Sequence, residues 1–442
     1  MTTPASRSSL VAWLDWQQSF HPSEIDLGLD RVRRVLGRTG WQRPGCPVFT
    51  VGGTNGKGSC VAMLDAMLRA AGHRTACFTS PHLIDYRERI SLGGHPVSAA
   101  SLIAAFERIS AALGSDTLTF FEFNTLAALL VFESYAPQAI ILEVGLGGRL
   151  DAVNVVDADV AVVTSVDLDH VEWLGPDIEA IAREKAGIFR AARPAICGMR
   201  SPPQSLLDTA VNCGAALRVL GRDFDAVAGP PDRWDFVDGQ LELRGLPLPA
   251  LPGRVQLDNA ASAIAAWNSI HARLPLLRAA VEQGLRSVSL PGRFQRVRAS
   301  SGVEWVLDVA HNPQAARTLA ANLRDLPPAT ETVGICAMLA DKDVRGVLEA
   351  VAPRCDRLLA AATSGPRGLT EHELADRARS AGICAQPAGT LRQALETVAA
   401  AARAGDRVVV FGSFHTVGPA LEWLKEQGLI LSAPWMNSSR HA

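Results

Sequence analysis

The strongest constraint on the fold is an alternation, along nearly the whole chain, of short apolar runs rich in β-branched residues with alanine-rich helical patterns. Parallel strands must be joined by crossovers long enough to hold a helix, so this alternation predicts βαβ units and parallel sheets. The predicted strands form two series, residues 48–51, 75–79, 139–144, 160–164 and 195–197, then 303–307, 332–337, 357–362 and 407–411. A chain of 442 residues also exceeds one ordinary hydrophobic core, which predicts two or more domains.

Composition and charge exclude several classes of protein. The chain is 48% apolar and 20% charged, its net charge is −2, and it has no run of lysines and arginines, so we expect neither a nucleic-acid nor a membrane partner. No apolar stretch is long enough to span a bilayer, and Trp13, Asp15 and Trp16 interrupt the region where a signal peptide has its apolar core. The eight cysteines form no C-x-x-C pair and lie mostly in apolar contexts, which predicts buried free thiols in a cytoplasmic protein.

Polar residues follow four of the predicted strands at the point where each strand ends. A glycine-rich loop follows the strand at 48–51, and Ser80 follows the strand at 75–79. Glu143 closes the strand that starts at 139, and Asp169 and His170 follow the strand at 160–164. Because ligands of open α/β sheets bind beyond the carboxyl ends of the strands, we expect these groups to line one edge of a sheet. The sequence therefore predicts a functional site at that edge.

The glycine-rich loop has the properties of a phosphate-binding loop. It consists of Gly53, Thr54, Asn55, Gly56, Lys57, Gly58 and Ser59. Its glycines let backbone N–H groups approach phosphate oxygens, Lys57 supplies a positive charge, and Ser59 can reach Mg²⁺. Gly58 separates the lysine from the serine, which departs from the G-x-x-x-x-G-K-[ST] pattern. A strand before the loop and a helical pattern after it still predict nucleotide binding.

These observations predict an α/β fold with a P-loop-type parallel-sheet ATP-binding domain, residues 1–290, followed by a smaller Rossmann-like α/β domain, residues 300–442. The boundary is placed near residues 290–300, because the proline and glycine at 291–292 break both helical and strand periodicity. Residues 217–252, with Gly-Pro-Pro at 229–231, are expected to be rich in loops. Residues 258–271 are predicted to form a helix.

Three further residues have both a functional and an ordinary interpretation. Glu143 at a strand end suits a Mg²⁺ ligand, and the alternative is a capping or salt-bridging glutamate with Arg149 as its candidate partner. His170 is weak by itself, because a lone histidine near a helix start is usually structural and is an unusual Mg²⁺ ligand. Lys185, judged from its neighbours alone, is expected to be a solvated helix lysine paired with an adjacent acid.

A set of short strings between about residue 25 and residue 415 matches a known family in content, order and spacing. The strings are GTNGKG at 53–58, TSPHL at 79–83, YRERI at 86–90, FEF at 121–123, EVGLGGRLDAVN at 143–154, DH at 169–170, WLG at 173–175, EKAGI at 184–188, PGR at 291–293, DVAHNP at 308–313 and GSFH at 412–415. Together they resemble the bifunctional dihydrofolate synthase/folylpolyglutamate synthase family, which belongs to the wider Mur ligase superfamily. The resemblance covers nearly the whole chain.

The resemblance implies an ATP-dependent amide ligase in which an acceptor carboxylate is activated as an acyl phosphate and then attacked by the amine of L-glutamate. It implies catalytic roles for Lys57, His170 and Lys185, the last as a carbamylated lysine, with two Mg²⁺ ions and K⁺ as a further candidate. The implied metal ligands are Ser59, Ser80, Glu143 and His170. The implied ATP contacts are Thr54, Asn55, Gly56, Lys57, Gly58, Ser59, Asn259, Arg293, Asp308 and His311, so that closure of the second domain would complete the site and exclude water.

The resemblance also implies a pocket for dihydropteroate, and hence both activities of the family. The implied pocket residues are Ile25, Asp26, Leu27, Thr119, Phe121, Leu150, Asp151 and Ala152. Phe121 would stack on the flat pterin, and Asp26 or Asp151 would accept hydrogen bonds from its N–H groups. Without the resemblance, an ordinary core aromatic is the better interpretation of Phe121. The expected partners are ATP, L-glutamate, dihydropteroate and reduced folates, and the expected state is a monomer.

Three alternatives remain open from the sequence. A monofunctional folylpolyglutamate synthase would extend tetrahydrofolate without making dihydrofolate. A cell-wall Mur ligase shares the phosphate loop, but the Gly58 form of the loop and the string at 121–123 favour the folate enzymes. A P-loop switch or motor that hydrolyses nucleotide gives no reason for the second domain and its string at 308–313.

Overall fold

The computed structural model describes residues 9–365 and 367–429. The chain divides into two compact units. Unit 1 comprises the residues up to Pro81 together with Arg87–Ala250 and Arg254–Ser289. Unit 2 comprises His82–Tyr86, Leu251–Gly253 and the chain from Leu290 onward. Each unit has its own largely parallel sheet flanked by helices, which confirms the predicted α/β class.

Unit 1 contains ten helices and eleven strands within the described residues. The helices are α1 (Leu10–Phe20), α2 (Asp30–Arg38), α3 (Lys57–Ala70), α4 (Ala99–Ala112), α5 (Phe120–Tyr135), α6 (Val171–Leu174), α7 (Ile178–Ala186), α8 (Gln204–Cys213), α9 (Val255–Asn268) and α10 (Arg278–Ser287). The strands are β1 (Val48–Gly52), β2 (Thr75–Phe78), β3 (Ile90–Leu92), β4 (His95–Pro96), β5 (Ala139–Glu143), β6 (Val160–Val163), β7 (Pro194–Cys197), β8 (Ala216–Val219), β9 (Asp225–Ala228), β10 (Arg233–Val237) and β11 (Glu242–Pro247).

The main sheet of unit 1 has the strand order β4-β3-β2-β5-β1-β6-β7-β8. Its pairs from β2 to β8 are parallel, whereas β3 and β4 add an antiparallel edge. Strands β1, β5 and β6 are buried at every position, as expected for central parallel strands covered on both faces. All five predicted strands of the first series are therefore confirmed, and β1 lies between β5 and β6 with the carboxyl ends of all three at one edge.

The expectation of a loop-rich stretch at 217–252 is wrong. This stretch contains most of β8 and all of β9, β10 and β11, and the last three strands form a separate antiparallel sheet in the order β11-β10-β9. In β10 the buried residues Trp234 and Phe236 alternate with more exposed arginine, aspartate and valine. A strand with one solvated face has this period of two. It therefore lacks the continuous apolar run by which the other strands are recognised.

Unit 2 contains a six-stranded sheet in the order β12-β13-β17-β14-β15-β16, parallel except for β12. The strands are β12 (Gln295–Arg298), β13 (Glu304–Asp308), β14 (Thr332–Cys336), β15 (Arg357–Ala362), β16 (Gln386–Thr390) and β17 (Arg407–Phe411). The helices are α11 (Pro313–Arg324), α12 (Val344–Val351), α13 (Glu371–Ser380), α14 (Leu391–Ala401) and α15 (Phe414–Glu426). Two apolar clusters pack against this sheet, and the four predicted strands of the second series are confirmed.

The cysteines are all free. Four of them are buried, as expected, but Cys384 is exposed and the other three are partly exposed, because they lie at element ends and in loops. Within the described residues no three His, Cys, Asp or Glu side chains come together as a metal site. Nor does any described helix have the length and apolar character needed to cross a membrane.

Candidate active site

The glycine-rich loop connects β1 to α3, and its shape depends on two glycines with positive φ. Gly53 has φ 143° and Gly56 has φ 86°, values that residues with a Cβ rarely adopt. A Cβ on Gly56 would lie 2.6 Å from Oδ1 of Asn259, and a Cβ on Gly53 would collide with the hydroxyl of Thr164. The loop is therefore closely packed against α9 and the end of β6, and Asn259 lies directly against it.

Hydrogen bonds fix the loop to the segment that follows β6. The Thr54 backbone N–H donates to the Ser165 carbonyl at 2.8 Å, and the Thr54 hydroxyl donates to the Asp167 carbonyl at 3.1 Å. The Asn55 N–H donates to the Ser165 hydroxyl at 2.9 Å, and the Thr164 hydroxyl donates to the Asn55 carbonyl at 2.7 Å. Thr54 and Asn55 thus hold two neighbouring strand ends together. Neither Thr164 nor Ser165 could be recognised as a partner of the loop from the sequence.

Lys57 begins α3 and turns back over the loop that precedes it. Its Nζ donates to the carbonyls of Gly53 at 3.0 Å and Thr54 at 3.1 Å. The ammonium group is therefore held at the mouth of the loop, where the phosphates of a nucleotide would need a positive charge. Gly58 and Ser59 are buried in the first turn of the same helix.

Glu143, at the end of β5, lies close to Ser80 and to the first turn of α3. The Ser80 backbone N–H donates to Oε2 of Glu143 at 3.2 Å. Burial, with the charge of Glu143 adding to it, raises the pKa of the Cys60 thiol to about 12, which places the carboxylate near α3. The alternative partner, Arg149, pairs with Glu184 at 2.9 Å instead. Glu143 is thus placed beside Ser80 and near the first turn of α3, which carries Ser59.

Lys185 lies on α7 with only 4% of its surface exposed. Burial lowers the pKa of its amine to about 7, and the charge of Lys57 lowers it further, while Asp169 and Asp151 oppose the change. The solvated-lysine interpretation is therefore wrong, because α7 turns this side chain inward. Lys185 is therefore close enough to Lys57, the lysine of the phosphate loop, for the charge of Lys57 to affect its pKa.

His170 stands in a more open position. It precedes α6 with φ 52°, its side chain is 38% exposed, and its Nε2 lies 3.8 Å from a carboxylate oxygen of Asp169. Its loop is joined to the phosphate loop through the Thr54 and Asn55 bonds described above. The structure thus places His170 on the same edge of the sheet, on the solvent side.

Asn259 in α9 has a supporting residue that the sequence did not indicate. Its Nδ2 donates to Oε1 of Gln256 at 3.0 Å, one helical turn earlier, and both side chains are buried. Because the Asn259 amide touches Gly56, Gln256 fixes the orientation of the group that faces the loop.

Arg293, Asp308 and His311 come together in unit 2. Asp308 accepts hydrogen bonds from the N–H groups of Phe294 and Ala310, each at 2.8 Å. Burial raises the pKa of Asp308 to about 6, and the positive charge of Arg293 works against this. The Arg293 guanidinium lies 5.1 Å from the centre of the Phe414 ring, and the His311 ring centre lies 6.4 Å from it. Phe414 therefore joins this group, and only its position in the matching string at 412–415 pointed to it.

The expected acceptor-pocket residues gather around the start of α5. Helix α2, helix α5 and the 3₁₀ helix Ala152–Val155 pack against one another, which brings the three expected segments together. Thr119 is the buried N-cap of α5, and Ala152 is buried as well. The Phe121 ring is partly exposed and lies against Phe78, with ring centres 5.7 Å apart. Ile25, Leu27 and Leu150 are half-buried.

Gly145 makes room for the Phe121 ring. A Cβ on this glycine would lie 2.5 Å from Cζ of Phe121, so a side chain at position 145 would displace the ring. The tip of the ring therefore lies against a glycine, and part of the ring surface remains accessible.

Asp151 is turned inward in this structure. Its carboxylate accepts hydrogen bonds from the N–H groups of Leu146 at 2.8 Å and Val153 at 3.0 Å. Burial raises the pKa of Asp151 to about 7, while these backbone bonds and the charge of Lys57 act in the opposite direction. The side chain thus shapes the loop between β5 and the 3₁₀ helix.

The donor set at the sheet edge fits a hard divalent cation. Glu143 offers a carboxylate next to Ser80, and Ser59 offers a hydroxyl on the adjacent helix turn. Oxygen ligands of this kind suit Mg²⁺, which also keeps waters and phosphate oxygens in its coordination shell.

Comparisons with known proteins agree with this geometry. The family model described as the Mur ligase middle domain matches residues 51–202, and the Mur ligase glutamate ligase domain matches residues 292–414. The chain is 42% identical to the dihydrofolate synthase/folylpolyglutamate synthase of Escherichia coli (strain K12), over 95% of this chain and 96% of that protein. It is 36% identical to the protein of the same name from Haemophilus influenzae, over 93% and 96% of the two chains.

Solved structures show the same likeness. E. coli FolC in complex with DHPP and ADP superposes with a TM-score of 0.91 at 41% identity, over 96% of this chain and all of that one. A bifunctional folylpolyglutamate synthase/dihydrofolate synthase with Mn, AMPPNP and L-glutamate bound gives 0.88 at 41% identity, with the same coverage. Sequence identity and fold agree over nearly the whole length, and the chain therefore belongs to the dihydrofolate synthase/folylpolyglutamate synthase family of ligases.

Proposed function

We propose that this enzyme uses ATP to join L-glutamate to dihydropteroate, which gives dihydrofolate, and to lengthen the glutamate tail of tetrahydrofolates. The observation that carries the proposal is the buried Lys185 in the electrostatic neighbourhood of Lys57 and Asp151 at the carboxyl edge of the sheet. Relatives solved with DHPP and ADP, and with AMPPNP and L-glutamate, support the choice of substrates.

The proposed reaction has two steps. An oxygen of the acceptor carboxylate attacks the γ-phosphorus of ATP, the bond to the bridging oxygen breaks, and ADP leaves. The amine nitrogen of glutamate then attacks the acyl carbon, the bond to the phosphate oxygen breaks, and the amine loses its proton to solvent. Phosphate activation is needed because a carboxylate would otherwise have to expel oxide. In this scheme Lys57 offsets the charge on the phosphates, and the fixed loop positions them.

For the metal we propose Mg²⁺ held by Ser59, Ser80, Glu143 and His170. When bound, the ion would neutralise phosphate charge during transfer. We further propose a carbamate on Lys185, formed when its neutral amine adds CO₂, as a ligand of a second Mg²⁺. K⁺ is a further candidate cofactor.

For the substrates we propose two sets of contacts. The ATP contacts are Thr54, Asn55, Gly56, Lys57, Gly58, Ser59, Asn259, Arg293, Asp308 and His311. The dihydropteroate contacts are Ile25, Asp26, Leu27, Thr119, Phe121, Leu150, Asp151 and Ala152. Of the two acids, Asp26 is the better acceptor for pterin N–H groups, because both carboxylate oxygens of Asp151 already accept hydrogen bonds from backbone N–H groups.

The test is an assay of the purified protein with ATP, Mg²⁺, L-glutamate and dihydropteroate. We expect dihydrofolate and ADP in equal amounts, measured by chromatography and mass spectrometry. Phe121→Ala should raise the KM for dihydropteroate by about tenfold, since stacking of a heterocycle on an aromatic ring is worth about 1–3 kcal/mol. If the enzyme extended tetrahydrofolate but formed no dihydrofolate from dihydropteroate, it would be a folylpolyglutamate synthase alone.

We also propose that the enzyme acts as a monomer in the cytoplasm. The use of ATP and eight free cysteines favours a reducing compartment. Light scattering at assay concentrations should give a mass close to 47.0 kDa, and a mass of twice that value would contradict the monomer.

A further inference from the structure

Arg31, at the start of α2, lies between two carboxylates from different parts of unit 1. Its side chain is 17% exposed. Nη1 lies 2.5 Å from Oδ2 of Asp26, and Nη2 also donates to the Asp26 carbonyl. On its other side, Nε donates to Oε2 of Glu122 at 3.0 Å, and Nη2 lies 2.8 Å from Oε1. The planar guanidinium thus makes a two-point contact with each partner.

Glu122 in turn fixes the first turn of α5. Its Oε2 accepts a hydrogen bond from the Thr119 N–H at 2.8 Å, and its own N–H donates to the Thr119 hydroxyl at 3.2 Å. This reciprocal capping box sets the direction of the helix start, which carries Phe121. Glu122 is buried, so its charge depends on Arg31 for compensation.

Asp26 is held from two sides through one oxygen. Oδ2 faces Arg31 and also lies 3.3 Å from Nε2 of His21, whose Nδ1 is 2.8 Å from the Thr117 hydroxyl. The other oxygen, Oδ1, makes no hydrogen bond to any residue in the described part of the chain, and the side chain is 45% exposed. One oxygen is therefore fixed, while the other points to where a ligand can approach.

We infer that Arg31 is a positioning residue for the pterin end of the acceptor, and this inference rests on the proposed function. It couples the Asp26 carboxylate, an acceptor for pterin N–H groups, to the helix start that carries the Phe121 ring. The distance between the Asp26 carboxylate and the Phe121 ring is maintained only while Arg31 holds Asp26 and Glu122. In the described part of the chain, the partners given for Arg31 are Asp26 and Glu122 and not residues of the phosphate loop, so we expect ATP binding not to depend on this network.

The experiment compares Arg31→Gln and Arg31→Lys with the wild type in the dihydropteroate assay. We expect Arg31→Gln to raise the KM for dihydropteroate by about tenfold or more, with the KM for ATP unchanged within about twofold. Arg31→Lys keeps the positive charge but loses the planar guanidinium with its paired N–H donors. We therefore expect a smaller rise in the KM for dihydropteroate, with the fold retained. The control is Arg33→Gln on the same helix, whose side chain is 57% exposed and pairs with the exposed Asp30.

A double-mutant cycle separates positioning from a general structural role. If Arg31 acts through Asp26, the KM increases of Asp26→Ala and Arg31→Gln will not multiply in the double variant. Independent, multiplying effects, or equal increases in both KM values, would overturn the inference, as would a dihydropteroate KM unchanged in both Arg31 variants. Failure of the wild type to make dihydrofolate would instead refute the proposed function, so the two failures are distinguishable.

Discussion

The most informative perturbation is the removal of the Lys185 amine, because its burial determines its chemistry. Burial lowers the pKa of this amine from 10.5 to about 7. At pH 7 an ordinary lysine has roughly one neutral amine in 3000, whereas Lys185 has about half in that form. Only a neutral amine can add CO₂, so the structure makes this lysine on the order of 1000-fold more available for carbamylation.

The expected consequence is a large loss of ligase activity in Lys185→Ala. Removing one preorganised group that stabilises transferring charge costs roughly 100- to 1000-fold in kcat. Acetate should restore part of the activity, because a small carboxylate can enter the space vacated by the side chain. Arg183→Ala is the matched control, since Arg183 lies on the same helix with its side chain exposed.

The pH dependence follows from the direction of the pKa change. The folded-state pKa of Lys185 lies below the unfolded value, so between about pH 7 and 10.5 the unfolded chain binds more protons and folding stability rises with pH. Below pH 7 the amine is protonated in both states, and the carbamate is lost. Carbon NMR with labelled bicarbonate should therefore show a carbamate signal at pH 8 that fades below pH 7. Full activity of Lys185→Ala without acetate, or no signal from the wild type at pH 8, would refute this reasoning.

Two further predictions follow from the loop and from unit 2. Gly56→Ala should raise the KM for ATP by about tenfold, since a Cβ at φ 86° would meet the Asn259 amide at 2.6 Å, whereas Gly37→Ala, with open space around it, should have no effect. The pKa of Asp308 is raised to about 6, so the folded state binds more protons than the unfolded state between about pH 4 and 6, and stability falls as pH rises through that window. The melting temperature of Asp308→Asn should lack this decline, and a parallel decline in both proteins would contradict it.

The features predicted well from sequence are those that follow from local pattern. The order of strands, the turn at Gly53 and the helix after Lys57 depend on neighbouring residues, and the structure confirms them. The burial of Lys185 could not be predicted from its neighbours in the sequence, because it results from the packing of α7 against elements distant in sequence. Arg31 likewise resembles any surface arginine in the sequence, since Glu122, its partner, is 91 residues away.

The charges around Lys185 also indicate when a carbamate would form. Burial and, after it, the charge of Lys57 disfavour the ammonium form of Lys185, and burial also raises the pKa of the neighbouring Asp151 to about 7. Arrival of ATP would bring several negative charges into a region of low dielectric constant, which favours the ammonium form again. CO₂ addition is therefore favoured before the nucleotide binds. We therefore expect the proposed carbamate on Lys185 to form as a step in the maturation of the site and not in each turnover.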